Sequence, residues 1–482
     1  MWRSIALAFA LLASSSCGRG ETLASSRIPL VDCEVPAYGG TAKCGTYLVW
    51  ENRGARTGRQ IAINVVILPA SGRSVQADPV FYFDGGPGAA ASRAAANIGR
   101  FLRAVNESRD LVFVDARGTG RANPLNCAKP REDVPLQSHF DDFLSDAYVR
   151  DCLAAQTADV RFYTQTFTAD DVNEVREALG YRHINLYGSS GGTRQQQLYV
   201  RRHGATVRAV VMHGVQAMDG KSPLPFSRAL DHGIAGLLDA CEKDPGCQRR
   251  YPALRDDWNA VRRVFELLGA VESEVRDPRT GRTGRLRITR GVFADGLRHM
   301  LYTMRTAWEV PEVIHRAALG DFNPFVEREL RQVTRFADTL SHGMFITATC
   351  AEDVRFIDEK DIDRATAGTF LGDYRVRRQQ AACRIWPAGE GIDDDFQTPV
   401  ATEVPVLLIS GEFDVATPPS EAERVVKSLP NGRHIVFPNQ GHDYSSPGCA
   451  AKLIADFIET ADPGSLDTAC VGTTKRPGFE PR

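Results

Sequence analysis

A chain of 482 residues with 43% hydrophobic and 24% charged side chains can bury a large core and has neither a disordered nor a fibrous composition. Its formal charge of −2 excludes the electrostatic footprint of a nucleic-acid binder. The length exceeds one ordinary domain, and one catalytic domain carrying an insertion is the simplest organisation.

At the N-terminus, Met1-Trp2-Arg3-Ser4 precedes an apolar run from Ile5 to Ala13 and then Ser14-Ser15-Ser16-Cys17. This is the layout of a secretory signal over residues 1–17. The run is too short to span a bilayer, and no later segment approaches the roughly 20 apolar residues that a spanning helix needs, so no transmembrane segment is expected. A periplasmic or extracellular location follows. Ten cysteines come after Cys17, an even number that favours disulfides in an exported chain. There is no CxxC pair and no Cys/His cluster at ligand spacing, so no metal site is expected. Cys17, the odd one, is placed to become an acylated first residue, a lipid anchor; Ser14 argues for simple cleavage, because bacterial lipoprotein signals usually carry Leu there.

Further along, Ile61 to Leu68, Val80 to Phe83, Leu111 to Val114, Ile184 to Tyr187 and Val207 to Met212 read as strands, being short and rich in β-branched or aromatic residues. Between two of them Thr168 is placed to cap a helix, with Val172, Val175 and Leu179 on one face and Gly180 as its stop. Strands alternating with helices imply a mostly parallel sheet covered on both faces. From about 222 to 400 the rhythm breaks into helical patterns: Arg228 to Lys243, Pro252 to Gly269, Gly291 to Tyr302. It resumes with a strand from Val406 to Ile409, a helix from Ser420 to Leu429, a strand from His434 to Phe437 and a helix from Cys449 to Thr460. The expected organisation is a core in two parts, 30–221 and 401–472, with a helical cap, 222–400, inserted between them.

Gly188-Ser189-Ser190-Gly191-Gly192 matches G-x-S-x-G between a strand and a helical stretch, the setting of a nucleophile elbow with Ser190 at its tip. A serine hydroxyl needs a base, and the base needs an orienting acid. Asp414 follows the strand Val406 to Ile409 and His442 follows the strand His434 to Phe437, in the chain order Ser, Asp, His. Glu412 is the competing acid, while His213 and His232 read as structural. Asp84-Gly85-Gly86-Pro87-Gly88 closes another strand, and its glycines let backbone N–H groups approach a developing oxyanion; the expected donors are those of Gly86 and Gly191.

At these residues the chain resembles the prolyl and tripeptidyl aminopeptidase branch of α/β-hydrolase serine peptidases, from about Cys33 to Cys470. The most specific pieces are Gly85 to Gly88, Asp115-Ala116-Arg117-Gly118-Thr119-Gly120, Tyr187 to Thr193, Cys350-Ala351-Glu352-Asp353, and the stretch from Gly411 through Pro419 to Cys449 and Cys470. The resemblance implies an α/β-hydrolase fold, with a mostly parallel central sheet and an inserted helical cap, performing acyl transfer without metal or organic cofactor. It makes Arg117 an internal brace. It implies disulfides joining Cys33 with Cys44, Cys127 with Cys152, Cys241 with Cys247, Cys350 with Cys383, and Cys449 with Cys470. It also implies that a cap acid, Glu352 or its neighbour Asp353, binds the α-ammonium group of a peptide substrate. Three departures bear on specificity: Asp84 stands where many prolyl relatives have His, Gly191 where they often carry an aromatic, and Asp443 where Gly is common. The expected activity is removal of residues from peptide N-termini. A carboxylesterase or lipase using the same triad on a small ester is the second reading, and a non-enzymatic binding scaffold the third.

Overall fold

The computed structural model describes residues 27–128, 134–443, 447–476 and 478–479. The predicted signal, with Cys17, lies outside them. The strands are β1 (Val31–Cys33), β2 (Ala42–Trp50), β3 (Gln60–Leu68), β4 (Val80–Phe83), β5 (Leu111–Val114), β6 (Ile184–Ser189), β7 (Val207–His213), β8 (Ala270–Arg276), β9 (Thr283–Thr289), β10 (Val406–Gly411) and β11 (Gly432–Phe437). Nine of them form one sheet in the order β1-β2-β3-β5-β4-β6-β7-β10-β11, while β8 and β9 form a separate hairpin. The β1-β2, β2-β3 and β3-β5 pairs are antiparallel, and every pair from β5-β4 to β10-β11 is parallel.

Both faces of this sheet are covered, and the two-residue period of the strands divides their side chains between two cores. Phe81, Phe83, Val112 and Val114 join the core shared with helices Gln165–Leu179 and Gly191–His203. Their neighbours Val80, Tyr82, Leu111 and Phe113 join the opposite core, under helices Ala91–Phe101 and Pro447–Thr460. A third core belongs almost wholly to the insertion, where Phe265, Phe293, Phe322, Phe325 and Phe370 interlock. The insertion is not independent throughout: Met344, Ile346 and Ala348 of helix His342–Glu352 pack into the first core.

The structure departs from the sequence reading in places. Strands β1 and β2, and the hairpin β8-β9 inside the predicted helical cap, were not anticipated. The helix expected to begin at Thr168 begins at Gln165, and Thr168 donates its hydroxyl to Thr164 O at 3.1 Å from within the first turn. The earlier start is held by a distant partner. Glu352 accepts from Gln165 N at 2.6 Å, so a carboxyl group from the insertion caps this N-terminus in place of a local side chain. Gly180 closes the same helix at φ 84°.

Arg117 is fully buried; it bonds both oxygens of Asp171 and the carbonyls of Glu51 and Phe162, tying the β5 turn to β2 and the neighbouring helix. Disulfides join Cys33–Cys44, Cys127–Cys152, Cys241–Cys247, Cys350–Cys383 and Cys449–Cys470. Among the described residues no helix is long and apolar enough to cross a membrane.

Candidate active site

Ser190 stands between β6 and the helix Gly191–His203 at φ 54°, ψ −128°, a conformation an L-residue adopts only at a cost of about 1–3 kcal/mol. The surroundings hold it there: Ser190 N donates to His213 O at 2.8 Å, and Thr193 N returns to Ser190 O at 2.9 Å. Small neighbours are obligatory, because a Cβ on Gly192 would lie 2.2 Å from Phe83 O. This close packing sets the elbow against the Asp84–Gly88 loop.

Asp414 and His442 arrive from the loops after β10 and β11. His442 Nδ1 lies 2.8 Å from Asp414 Oδ2, and the same oxygen accepts from Thr417 Oγ1 at 2.9 Å. Oδ1 accepts from the N–H groups of Ala416 and Thr417, both at 2.8 Å. With Nδ1 committed to Asp414, Nε2 is the imidazole nitrogen left for proton exchange, and His442 and Ser190 line one cavity. Glu412, the competing acid, instead accepts from Asn439 N at 2.9 Å and braces the loop that carries His442.

Burial works against the His442 imidazolium, but the Asp414 carboxylate and its hydrogen bond prevail, so its pKa is raised, with Asp443 adding to the rise and Arg298 opposing it. Asp414 is lowered in spite of burial by its contact with His442. His213 beside them is pushed down to about 3 by burial and then by His442, so it stays neutral.

The Asp84–Gly88 loop faces the elbow. A Cβ on Gly191 would lie 3.1 Å from Pro87 N and 3.4 Å from Gly86 N, which brings the two expected oxyanion donors together. Gly86 adopts φ 110°, a conformation open to glycine, and among the described residues neither Gly86 N–H nor Gly191 N–H donates to another protein group. Asp84 Oδ1 takes the Gly85 N–H at 2.8 Å and the Tyr82 hydroxyl at 3.1 Å. Burial pushes its carboxyl up to about 6.

Above these loops the insertion encloses a cavity of about 460 Å³. Its roof carries a buried polar cluster that sequence reasoning missed. On helix Arg290–Leu301, Asp295 pairs with Arg298 at 2.8 Å and with Arg375 at 2.7 Å. His299 Nδ1 lies 3.0 Å from Glu329 Oε1, while Glu329 Oε2, in a residue only 4% exposed that lines the cavity, has no partner among the described residues. Burial alone would raise Asp295, but Arg298, Arg375 and His299 hold it well below the carboxylate range. For Glu329 burial prevails over His299, and its pKa is raised. The i, i+3, i+4 spacing of Asp295, Arg298 and His299 was the available signal: charge on a helix otherwise filled with Val292, Phe293, Leu297 and Met300.

The acids expected to meet the substrate need correction. Glu352 is fully buried outside the cavity lining: its Oε1 accepts the Gln165 N–H, its Oε2 has no partner among the described residues and does not belong to the cavity wall, and burial pushes its carboxyl up to about 8. Asp353 lines the cavity, but its Oδ1 is taken by Arg194 and by Ser222 N, both at 2.8 Å. Their adjacency in sequence concealed that a helix end turns one of them into another helix's cap.

Residues 78–285 match the family described as alpha/beta hydrolase fold, and residues 368–470 the family described as TAP-like protein. The tripeptidyl aminopeptidase of Streptomyces lividans is 22% identical over 453 residues, spanning 87% of this chain and 81% of that protein. Serine protease Hip1 of Mycobacterium tuberculosis is 23% identical over 462 residues, 87% and 85% of the two chains. A proline iminopeptidase of Aeromonas sobria is 39% identical over 77 residues, only 15% of this chain and 17% of that protein. Together with the sheet order and the elbow, these likenesses make the chain a serine hydrolase of the α/β-hydrolase fold. Within that class the chain is similar to the Streptomyces tripeptidyl aminopeptidase and to serine protease Hip1.

Proposed function

We propose that this chain is an exported aminopeptidase, cleaving peptides from their N-termini through an acyl-enzyme on Ser190. His442 Nε2 takes the proton of Ser190 Oγ as that oxygen attacks the scissile carbonyl, and Asp414 stabilises the resulting imidazolium. The carbonyl oxygen, now negative, accepts from the N–H groups of Gly86 and Gly191. The intermediate collapses by expelling the amine, which leaves with the proton from His442. Water, deprotonated by the same histidine, then hydrolyses the ester and restores Ser190.

The observation that carries the N-terminal reading is the open Oε2 of Glu329 in the roof of the same cavity. A buried carboxylate oxygen without a partner is costly, and a substrate's α-ammonium supplies the donors and the charge it lacks. Asp295 cannot serve, being already matched by two arginines. Export is supported by the leader pattern of residues 1–17 and by five disulfides.

The test is Glu329→Gln, assayed on free-amine peptide anilides and on N-acetylated and acyl-ester counterparts. KM for the free-amine substrates rises about 10- to 100-fold, the loss of one hydrogen bond to a charged group, while ester turnover barely changes. Wild-type protein that hydrolyses esters but no peptide would transfer the assignment to an esterase, and protein that hydrolyses blocked peptides but no free-amine peptide would overturn the N-terminal reading.

A further inference from the structure

The backbone of His442 is held by the insertion. Tyr302 directly follows the roof helix Arg290–Leu301, and its carbonyl accepts from His442 N at 2.7 Å and from Asp443 N at 3.2 Å. A helix-terminal carbonyl that would otherwise need water or a cap is satisfied by the loop of the catalytic base. Thr303 extends this contact as a parallel bridge to Asp443. Gly441 makes the approach possible, since a Cβ there would lie 2.8 Å from Tyr302 O and 3.1 Å from Leu301 O.

The Tyr302 side chain reaches the same histidine. Its ring stands edge-on to the His442 imidazole, with centroids 5.2 Å apart. Its hydroxyl accepts from Arg298 Nη1 at 2.9 Å, and Arg298 is itself fixed by Asp295 at 2.8 Å. His442 is therefore gripped from two domains: Asp414 in the core fixes Nδ1, and a residue of the cap fixes the backbone and borders one side of the ring.

We propose that Tyr302 is a positioning residue for His442, its ring confining the imidazole to the orientation in which Nε2 meets Ser190. The proposal rests on the triad reading above. An imidazole free to tilt by an ångström loses alignment with the serine hydroxyl, and such misplacement costs up to about 100-fold in rate. Binding of the substrate in the roof is not the step affected, so kcat falls and KM does not follow.

Tyr302→Leu removes the ring and keeps the carbonyl. Its expected behaviour is a kcat lower by about 10- to 100-fold, KM within about twofold, and an equal loss in the rate of fluorophosphonate labelling of Ser190. The acid limb of the pH profile should also move, because the imidazole changes its place among Asp414, Asp443, Arg298 and His213. Tyr302→Phe restores the ring and should restore most of kcat and the wild-type limb. A Tyr302→Leu protein with wild-type kcat overturns the proposal, as does a loss of kcat with an unmoved limb, which would mark mere support of the fold. If the leucine variant does not fold, Tyr302→Phe still decides: a loss as large as tenfold would place the effect in the hydroxyl and Arg298 and overturn the role of the ring. Failure of the triad reading is separately visible, as wild-type protein that takes no fluorophosphonate.

Discussion

On the floor of the cavity each reactive group follows a parallel strand and is fixed by backbone partners: Ser190 by the carbonyl of His213, Asp414 by two amides, His442 by the carbonyl of Tyr302. In the roof the polar groups fix one another, Asp295 with two arginines and His299 with Glu329. Backbone anchoring fixes where each reactive residue sits, leaving only the tilt of its side chain to neighbouring groups such as the Tyr302 ring, which suits bond-making. A side-chain cluster can leave one oxygen open, as at Glu329, which suits recognition. Under the function proposed above, the cavity separates chemistry below from selection above, and Tyr302 is where the two regions touch.

Substitutions on the floor should have the largest effects. Ser190→Ala and His442→Ala are each expected to lower kcat by about 10⁵- to 10⁶-fold, and Asp414→Asn by about 10⁴-fold, with KM little changed. Steady-state turnover of any substrate accepted by the wild type measures this. Near-normal rates in Ser190→Ala would leave the floor without its chemistry and end the comparison.

The next effect in size is on pH. The base works only when neutral, and the Asp414 carboxylate outweighs burial in raising its pKa above the ordinary 6.5. Activity should therefore fall tenfold per unit as pH drops below a limb lying above 6.5, seen in kcat/KM. A limb below 6.5 would mean that burial and Arg298 dominate His442, and that the roof reaches the chemistry more strongly than the floor's own acid does.

The smallest effect separates the two glutamates. Glu352 has a folded-state pKa of about 8 against an ordinary 4.5, so between these values the folded chain binds more protons than the unfolded chain, and stability falls as pH rises. Glu352→Gln removes that dependence: Tm at pH 8 should rise by about 1–3 °C, with no gain at pH 4. KM for free-amine peptides should stay put, in contrast to Glu329→Gln. A KM effect from Glu352→Gln equal to that of Glu329→Gln would erase the division between helix cap and recognition acid.

The floor was legible because its signals are short and local: Gly188 to Gly192 after an apolar strand, an acid and a histidine after two more strands. The roof was not, because Asp295, Glu329 and Arg375 meet only through packing of three helices far apart in sequence, and a charged residue on a helix reads the same whether it faces solvent or a cavity. Strand β2 was obscure for a different reason: Ala-Lys-Cys-Gly-Thr-Tyr-Leu-Val-Trp mixes buried and exposed positions, as befits an antiparallel strand near an edge. In the hairpin β8-β9, Val271, Val275, Leu286 and Ile288 do alternate inward, but charged and polar neighbours hide the period. Thr168 misled because local capping chemistry is only the default, and here Glu352 supplied the cap from afar.

The five disulfides join consecutive cysteines, the longest separation being 33 residues and the shortest 6. A chain emerging N-terminus first into an oxidising compartment would thus never hold more than one unmatched described thiol at a time. Oxidation in simple order of appearance would yield this set without reshuffling. The cap, carrying two of these bonds, is stapled without being stitched to the part of the sheet made before it.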